Sequence, residues 1–180
     1  NGIQVGVYFY SGASNAREAY DEASYCISLI RDYQITYPVA FDWELDGDYD
    51  SVTEACETFC NVISSYGYQP MVYSNRNRWY NNFDGEKIAS KYKVWMAAYF
   101  GKFYYDSVRW TYGDDLPNFR YHYDMWQYSS RCYVDGISGQ VDVDIAFFGY
   151  ANYHVDTKDA VLTVTNKEIK RTYGDGIGRL

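Results

Sequence analysis

No stretch of this chain reaches the run of about 18 apolar residues that would read as a membrane-crossing helix. It lacks positive charge too: 16 Lys and Arg stand against 24 Asp and Glu, a net charge of −8 with a pI of about 4.7. Such a balance sets nucleic acid and anionic membranes aside as partners. Histidine is scarce, two residues, and the four cysteines (Cys26, Cys56, Cys60, Cys132) form no C-x-x-C pair, so no zinc site, and no other metal or cofactor, is expected. The cysteines allow three full pairings that sequence does not separate, and free buried thiols are the simplest reading. There is no G-x-S-x-G, and neither His122 nor His154 has an evident nucleophile beside it, which argues against a Ser or Cys hydrolase. No Gly-rich loop opens a helix after a strand, which argues against a phosphate-binding α/β protein. Internal repeats and low-complexity blocks are absent as well. No leader is visible, but the chain opens at Asn1 inside a strand-like segment and reads as a piece of a longer protein.

What the chain has in abundance is tyrosine: 23 Tyr and 5 Trp raise the aromatic share to 21% of 180 residues. These side chains pair an apolar face with a polar tip, which suits surfaces that stack on sugar rings. The length fits one domain, or one domain and a fragment.

The chain is organised around Pro38 to Asp50, PVAFDWELDGDYD. Val39, Ala40 and Phe41 read as a buried strand that ends in Asp42-Trp43-Glu44. Alternate side chains of a strand share a face, which puts Asp42 and Glu44 together, about 7 Å apart along the chain. Neighbouring acids repel, and the repulsion raises the proton affinity of one of them. An acid and a base can arise from such a pair at neutral pH. Asp46, Asp48 and Asp50, with Glu57 further on, alternate as in a calcium loop, but Ser51 stands where that loop needs Gly and a strand precedes it. A solvated acidic loop is the better reading.

Around that stretch the pattern alternates. Ile3–Tyr10 reads as a strand, Asn15 with Glu18 as the cap of a helix, and Val39–Trp43 as the second strand. Ser51 with Glu54 reads as the capping box of a second helix ended by Gly67, and Met71–Ser74 as a third strand. A fourth strand is expected at Val94–Ala98, an irregular stretch from Phe100 to Arg120, and two strands close together at Tyr123–Tyr128 and Gln140–Asp144. Crossover-length connections predict parallel strands covered by helices, and the short last connection predicts a hairpin-like close. Residues 154–180 differ in character and read as a tail, a linker or the start of another module. In parallel α/β barrels the chemistry sits at the C-terminal strand ends. Here those ends carry Tyr8 and Tyr10, Asp42 and Glu44, Tyr73, Tyr99, Trp126 and Gln127, and Asp142 and Asp144.

Taken together, GVYFY at Gly6–Tyr10, DWE at Asp42–Glu44, VWMAAY at Val94–Tyr99 and the run MWQYSSRCYVDGISGQVDVD resemble family 25 of the glycoside hydrolases, the N-acetylmuramidases. The resemblance covers about Gly2 to Tyr150. It implies an α/β fold, an irregular TIM-like barrel of parallel strands followed by antiparallel closing strands, in residues 1–153. The chain begins at what resembles the family's third strand, so the first two strands, and the aspartate on the first, are expected to be missing from it. The implied activity is hydrolysis of the β-1,4 bond between N-acetylmuramic acid and N-acetylglucosamine in peptidoglycan, with retention. Glu44 matches the general acid and Asp42 the carboxylate beside it, a nucleophile or the group that orients the substrate's N-acetyl. Asp142 matches the acid of the last strand, and Asp144 stands where many members have Asn. Tyr8, Tyr10, Tyr73, Tyr99, Trp126 and Gln127 match positions that shape sugar subsites. The implied partner is the peptidoglycan glycan strand, met by a monomer outside the cell or in its wall. A peptidoglycan- or chitin-binding module without catalysis is the alternative.

Overall fold

The computed structural model describes residues 4–46, 50–106, 109–111 and 113–148. Expectations for residues 154–180, for the boundary at 153, and for Asp48 lie outside them. The chain runs β1 (Val7–Ser11), α1 (Ala16–Ile30), β2 (Val39–Trp43), α2 (Val52–Ser65), β3 (Pro70–Asn75), α3 (Arg76–Asn81), α4 (Gly85–Ala89), β4 (Lys93–Ala97), α5 (Gly101–Tyr105), β5 (Met125–Cys132) and β6 (Val141–Ala146). Hydrogen bonds join the six strands in chain order. The parallel pairing of β1 with β2 and of β2 with β3, and the antiparallel pairing of β5 with β6, follow the expected change of character along the chain. The chain divides into two compact units, one running to Trp95 with Tyr121–Tyr123, the other made of Met96–Arg120 and the chain from Asp124 on.

In the first unit, helix α1 starts where Asn15 accepts a hydrogen bond from the Glu18 N–H at 3.0 Å. Glu18 reaches back to the N–H of Ser14 at 2.8 Å, one residue earlier than a regular capping box. Ser51 does stand at the N-cap of α2, but its side chain makes no capping bond, so the box expected there with Glu54 is not formed. Ala19, Ala23, Cys26, Ile27 and Ile30 form the buried stripe of α1, and Val52, Ala55, Cys56, Phe59, Cys60 and Ile63 that of α2. The two helices pack on each other and on one face of the sheet. There Phe59 meets Phe41 at 5.1 Å and Phe9 at 5.8 Å between ring centroids. Burying side chains of this size stabilises the fold by roughly 1.5–3 kcal/mol each.

Every residue of β2 is buried, as befits a central strand covered on both sides. Two glycines permit close approaches. A Cβ on Gly6 would stand 2.6 Å from the Pro38 carbonyl oxygen, where the chain enters β1. A Cβ on Gly85 would stand 2.2 Å from the Tyr121 ring, which rests on the start of α4.

In the second unit the core is aromatic. Trp126 is fully buried, stacks on Phe100 at 5.5 Å and meets Phe103 and Tyr128 at 5.8 and 5.7 Å. Phe103 comes from α5, a helix inside the stretch expected to be irregular. Strands β5 and β6 pair Trp126 with Ile145 and Gln127 with Asp144, with register irregularities between Gln127 and Ser129 and between Ser129 and Cys132. All four cysteines are buried and free.

Candidate active site

The register of the first unit's strands builds the site. Tyr10 lies beside Asp42 in the β1/β2 pair, and Asp42 beside Tyr73 in the β2/β3 pair. Partners in parallel register point to the same face, so Tyr10, Asp42 and Tyr73 form one row across three strands, with Tyr8, Ala40 and Met71 in the row behind. This is the face away from α1 and α2. The row passes from exposed to buried: Tyr10 is 60% exposed, Asp42 6% and Tyr73 6%. Tyr8 is 65% exposed. Tyr73 meets the Trp95 ring edge-on at 4.6 Å, which extends the aromatic floor to β4.

Glu44 leaves β2 two residues after Asp42 and is only partly buried. The residue between them faces the other way and is anchored twice. The indole N–H of Trp43 donates to the Ala13 carbonyl at 3.1 Å, and the Trp43 carbonyl accepts from the Ser74 hydroxyl at 2.7 Å. Trp43 and Ser74 are both fully buried. The backbone linking the two acids is therefore pinned to the β1–α1 turn and to β3. That turn is itself tied down: Glu22 accepts from the Gly12 N–H at 2.9 Å and from the Ser11 hydroxyl. Neither Trp43 nor Ser74 announces this part in the sequence, because their partners lie 30 and 31 residues away.

The second unit carries the remaining expected residues. The Tyr99 hydroxyl donates to the Gln127 side-chain carbonyl oxygen, and Gln127 is buried. Tyr104, which sequence reasoning missed, stacks on Tyr99 at 5.0 Å with 6° between the ring planes. The Arg131 guanidinium sits 5.3 Å from the Tyr104 ring centroid. Gln127, Tyr99, Tyr104 and Arg131 thus make a flat polar-edged shelf of the kind sugar rings stack on. Trp126 lies behind the shelf in the core, its indole N–H donating to the Ala98 carbonyl at 2.9 Å. Asp142 is exposed on β6, in the irregular part of the hairpin, and Asp144 lies opposite Gln127.

Among the described residues no three His, Cys, Asp or Glu come together as a metal-holding group. Glu57, the last ligand of the calcium-loop reading, is held by Lys87 and Lys91 instead. These two lysines hold its carboxyl below the usual carboxylate range. The first unit thus brings together a buried carboxylate and a more accessible one on a pinned strand end floored by aromatic rings, an arrangement suited to acid–base work on a sugar.

The family described as "Glycosyl hydrolases family 25" matches residues 1–137. A lysozyme of Streptococcus phage Cp-1 is 29% identical over 137 residues, covering 71% of this chain and 37% of the phage protein. A lysozyme of Streptococcus phage Cp-7 is 28% identical over 182 residues, covering 96% of this chain and 48% of its own. Among solved structures, the modular autolysin LytC from Streptococcus pneumoniae in complex with a synthetic peptidoglycan ligand is 29% identical, with a TM-score of 0.60. The likeness covers 79% of this chain and 34% of LytC, so this chain spans less than half the length of each of these relatives. With a family match that takes in most of its length, the chain belongs to glycosyl hydrolases family 25.

Proposed function

We propose that the protein carrying this chain is a lysozyme that hydrolyses the β-1,4 bond between N-acetylmuramic acid and N-acetylglucosamine in peptidoglycan. The observation that carries the reading is the row Tyr10–Asp42–Tyr73 with Glu44 at its exit, on a strand end pinned through Trp43. Family membership and the relatives' names, lysozymes and an autolysin seen with a peptidoglycan ligand, point the same way.

In this reading Glu44, the more accessible acid, protonates the glycosidic oxygen as the bond breaks, since an unprotonated alkoxide leaves poorly. Asp42, buried one alternation back, faces the positive charge that develops on the sugar ring. It acts either as nucleophile or by orienting the substrate's N-acetyl group, and both routes retain configuration. By the family resemblance Asp142 serves as a supporting acid; Tyr8, Tyr10 and Tyr73 offer stacking surfaces in the first unit and Tyr99 one in the second, where Gln127 and Trp126 set its pose. The strands belong to an irregular TIM-like barrel in residues 1–153. The enzyme acts as a monomer on glycan strands in the wall, outside the cytoplasm, and needs no cofactor.

The test is release of reducing ends from purified peptidoglycan by the protein carrying this chain and by its Glu44→Gln variant. Loss of a general acid is expected to lower the rate by roughly 10²–10⁴-fold while glycan binding persists. A folded wild-type protein that binds the glycan and never cuts it overturns the reading in favour of a binding module.

A further inference from the structure

Directly past the paired acids the first unit holds an open polar cavity of about 570 Å³, bordered by Asp46, Asn75, Asn77, Arg78, Asn81 and Asn82. Its position follows from the register: two residues beyond the Asp42–Tyr73 pair the chains reach Glu44 and Asn75, and the cavity opens there. Its size falls within the range of sites that hold small ligands. Its chemistry differs from that of the floor beside it. Among the described residues that line it none is aromatic; asparagines and one ion pair dominate.

What it offers is amide chemistry and two opposite charges. The side-chain oxygen of Asn75 is spent on the Arg78 N–H at 3.1 Å, and the Asn81 amide donates to the Asn77 side chain at 2.8 Å. Among the described residues this leaves the amide N–H groups of Asn75 and Asn77 and the side-chain carbonyl of Asn81 without an intramolecular partner. Arg78 is held in place by the Leu45 carbonyl at 3.0 Å and points one terminal nitrogen at Asp46, 2.8 Å away. Its other terminal nitrogen makes no bond to a described residue. Asp46 is fully exposed, whereas Arg78 is 17% exposed. The fixed cation therefore has a partner that swings away easily when a competing carboxylate arrives.

We propose that this cavity binds the short peptide that peptidoglycan strands carry. The asparagines pair with its amide bonds, and Arg78 exchanges Asp46 for a peptide carboxylate. The inference rests on the lysozyme reading, because the acids of that site set the cavity beside the reacting sugar. It makes the peptide a determinant of which strands are cut.

The experiment is a binding titration of the protein carrying this chain, as its Glu44→Gln variant so that nothing is hydrolysed, with two probes. One is a peptidoglycan tetrasaccharide bearing its peptides, the other the same tetrasaccharide stripped of them by an amidase. The parent is expected to bind the peptide-bearing probe about tenfold more tightly, the worth of a single net hydrogen bond to a charged partner. Adding Asn77→Ala with Asn81→Ala removes that preference and leaves the stripped probe unaffected. Adding Asp46→Asn, at a fully exposed side chain whose loss the fold tolerates, strengthens the preference by freeing Arg78. Equal weakening of both probes makes the cavity a sugar subsite and overturns the proposal, as does no change for either. Binding of neither probe by the parent defeats the lysozyme reading itself, a result distinct from either of those.

Discussion

At the scale of the residue, the proposed mechanism makes the acid pair the least forgiving feature and Trp43 the least obvious one. Asp42→Asn is expected to cost turnover about as heavily as Glu44→Gln, by some 10²–10⁴-fold, since a neutral amide neither stabilises nor captures the developing cation. Trp43→Phe tests the anchor. It keeps most of the buried volume but removes the N–H that reaches the Ala13 carbonyl. A displaced catalytic group costs as much as about 100-fold for 1 Å, so we expect kcat to fall by roughly tenfold with KM little altered. A matched loss in both constants would show the anchor to be mere packing. The Asp-x-Glu strand end was legible because alternation on a strand is a local rule. The clamp was not, because it depends on a turn 30 residues earlier. Tyr104 was illegible for a related reason: it stacks on Tyr99 only because α5 forms within a stretch without clear periodicity.

At the scale of the element, the two long helices offer a paired comparison. Asn15 makes its capping bond and Ser51 does not. Asn15→Ala should therefore cost about 1 kcal/mol in chemical denaturation, and Ser51→Ala only a few tenths. Equal losses would contradict the caps described. Gly85→Ala should cost about 1–3 kcal/mol, because the added methyl meets the Tyr121 ring, which must shift with its packing against Trp79. Strand β2 was legible to the residue, Val39–Trp43, since a proline and an acidic loop bracket its apolar run. The helix caps were only half legible: composition reveals a candidate cap, but whether the side chain turns toward the helix depends on backbone angles.

At the scale of the molecule, the carboxylates that matter to stability are the ones tied to partners. Contact with the Ser14 N–H and hydroxyl lowers Glu18, the Lys87 and Lys91 ammonium groups lower Glu57, and Lys102 with the Thr111 N–H lowers Asp114. Each of these acids is stronger in the folded chain than in the unfolded one. Their contribution is complete above the ordinary carboxylate range and is lost as pH falls through the folded values. Melting temperature should therefore decline from about pH 5 downward, and Glu57→Gln should both lower it at neutral pH and flatten the decline. A melting temperature that holds or rises on acidification would refute this. The change from parallel to antiparallel strands was legible at this scale because a connection too short for a helix leaves only a hairpin. The register irregularities that place Asp142 were not legible, since nothing local marks them.

The four thiols have a consequence of their own. All four are buried, and burial pushes Cys26 up to about 11 and Cys56 well above the ordinary thiol range, so a reagent reaches them poorly in the folded protein. Alkylation then keeps time for opening. Cys26, Cys56 and Cys60 report on the helices of the first unit and Cys132 on the hairpin of the second. A mass-resolved labelling course would show directly whether the two halves of the chain come apart together or in turn.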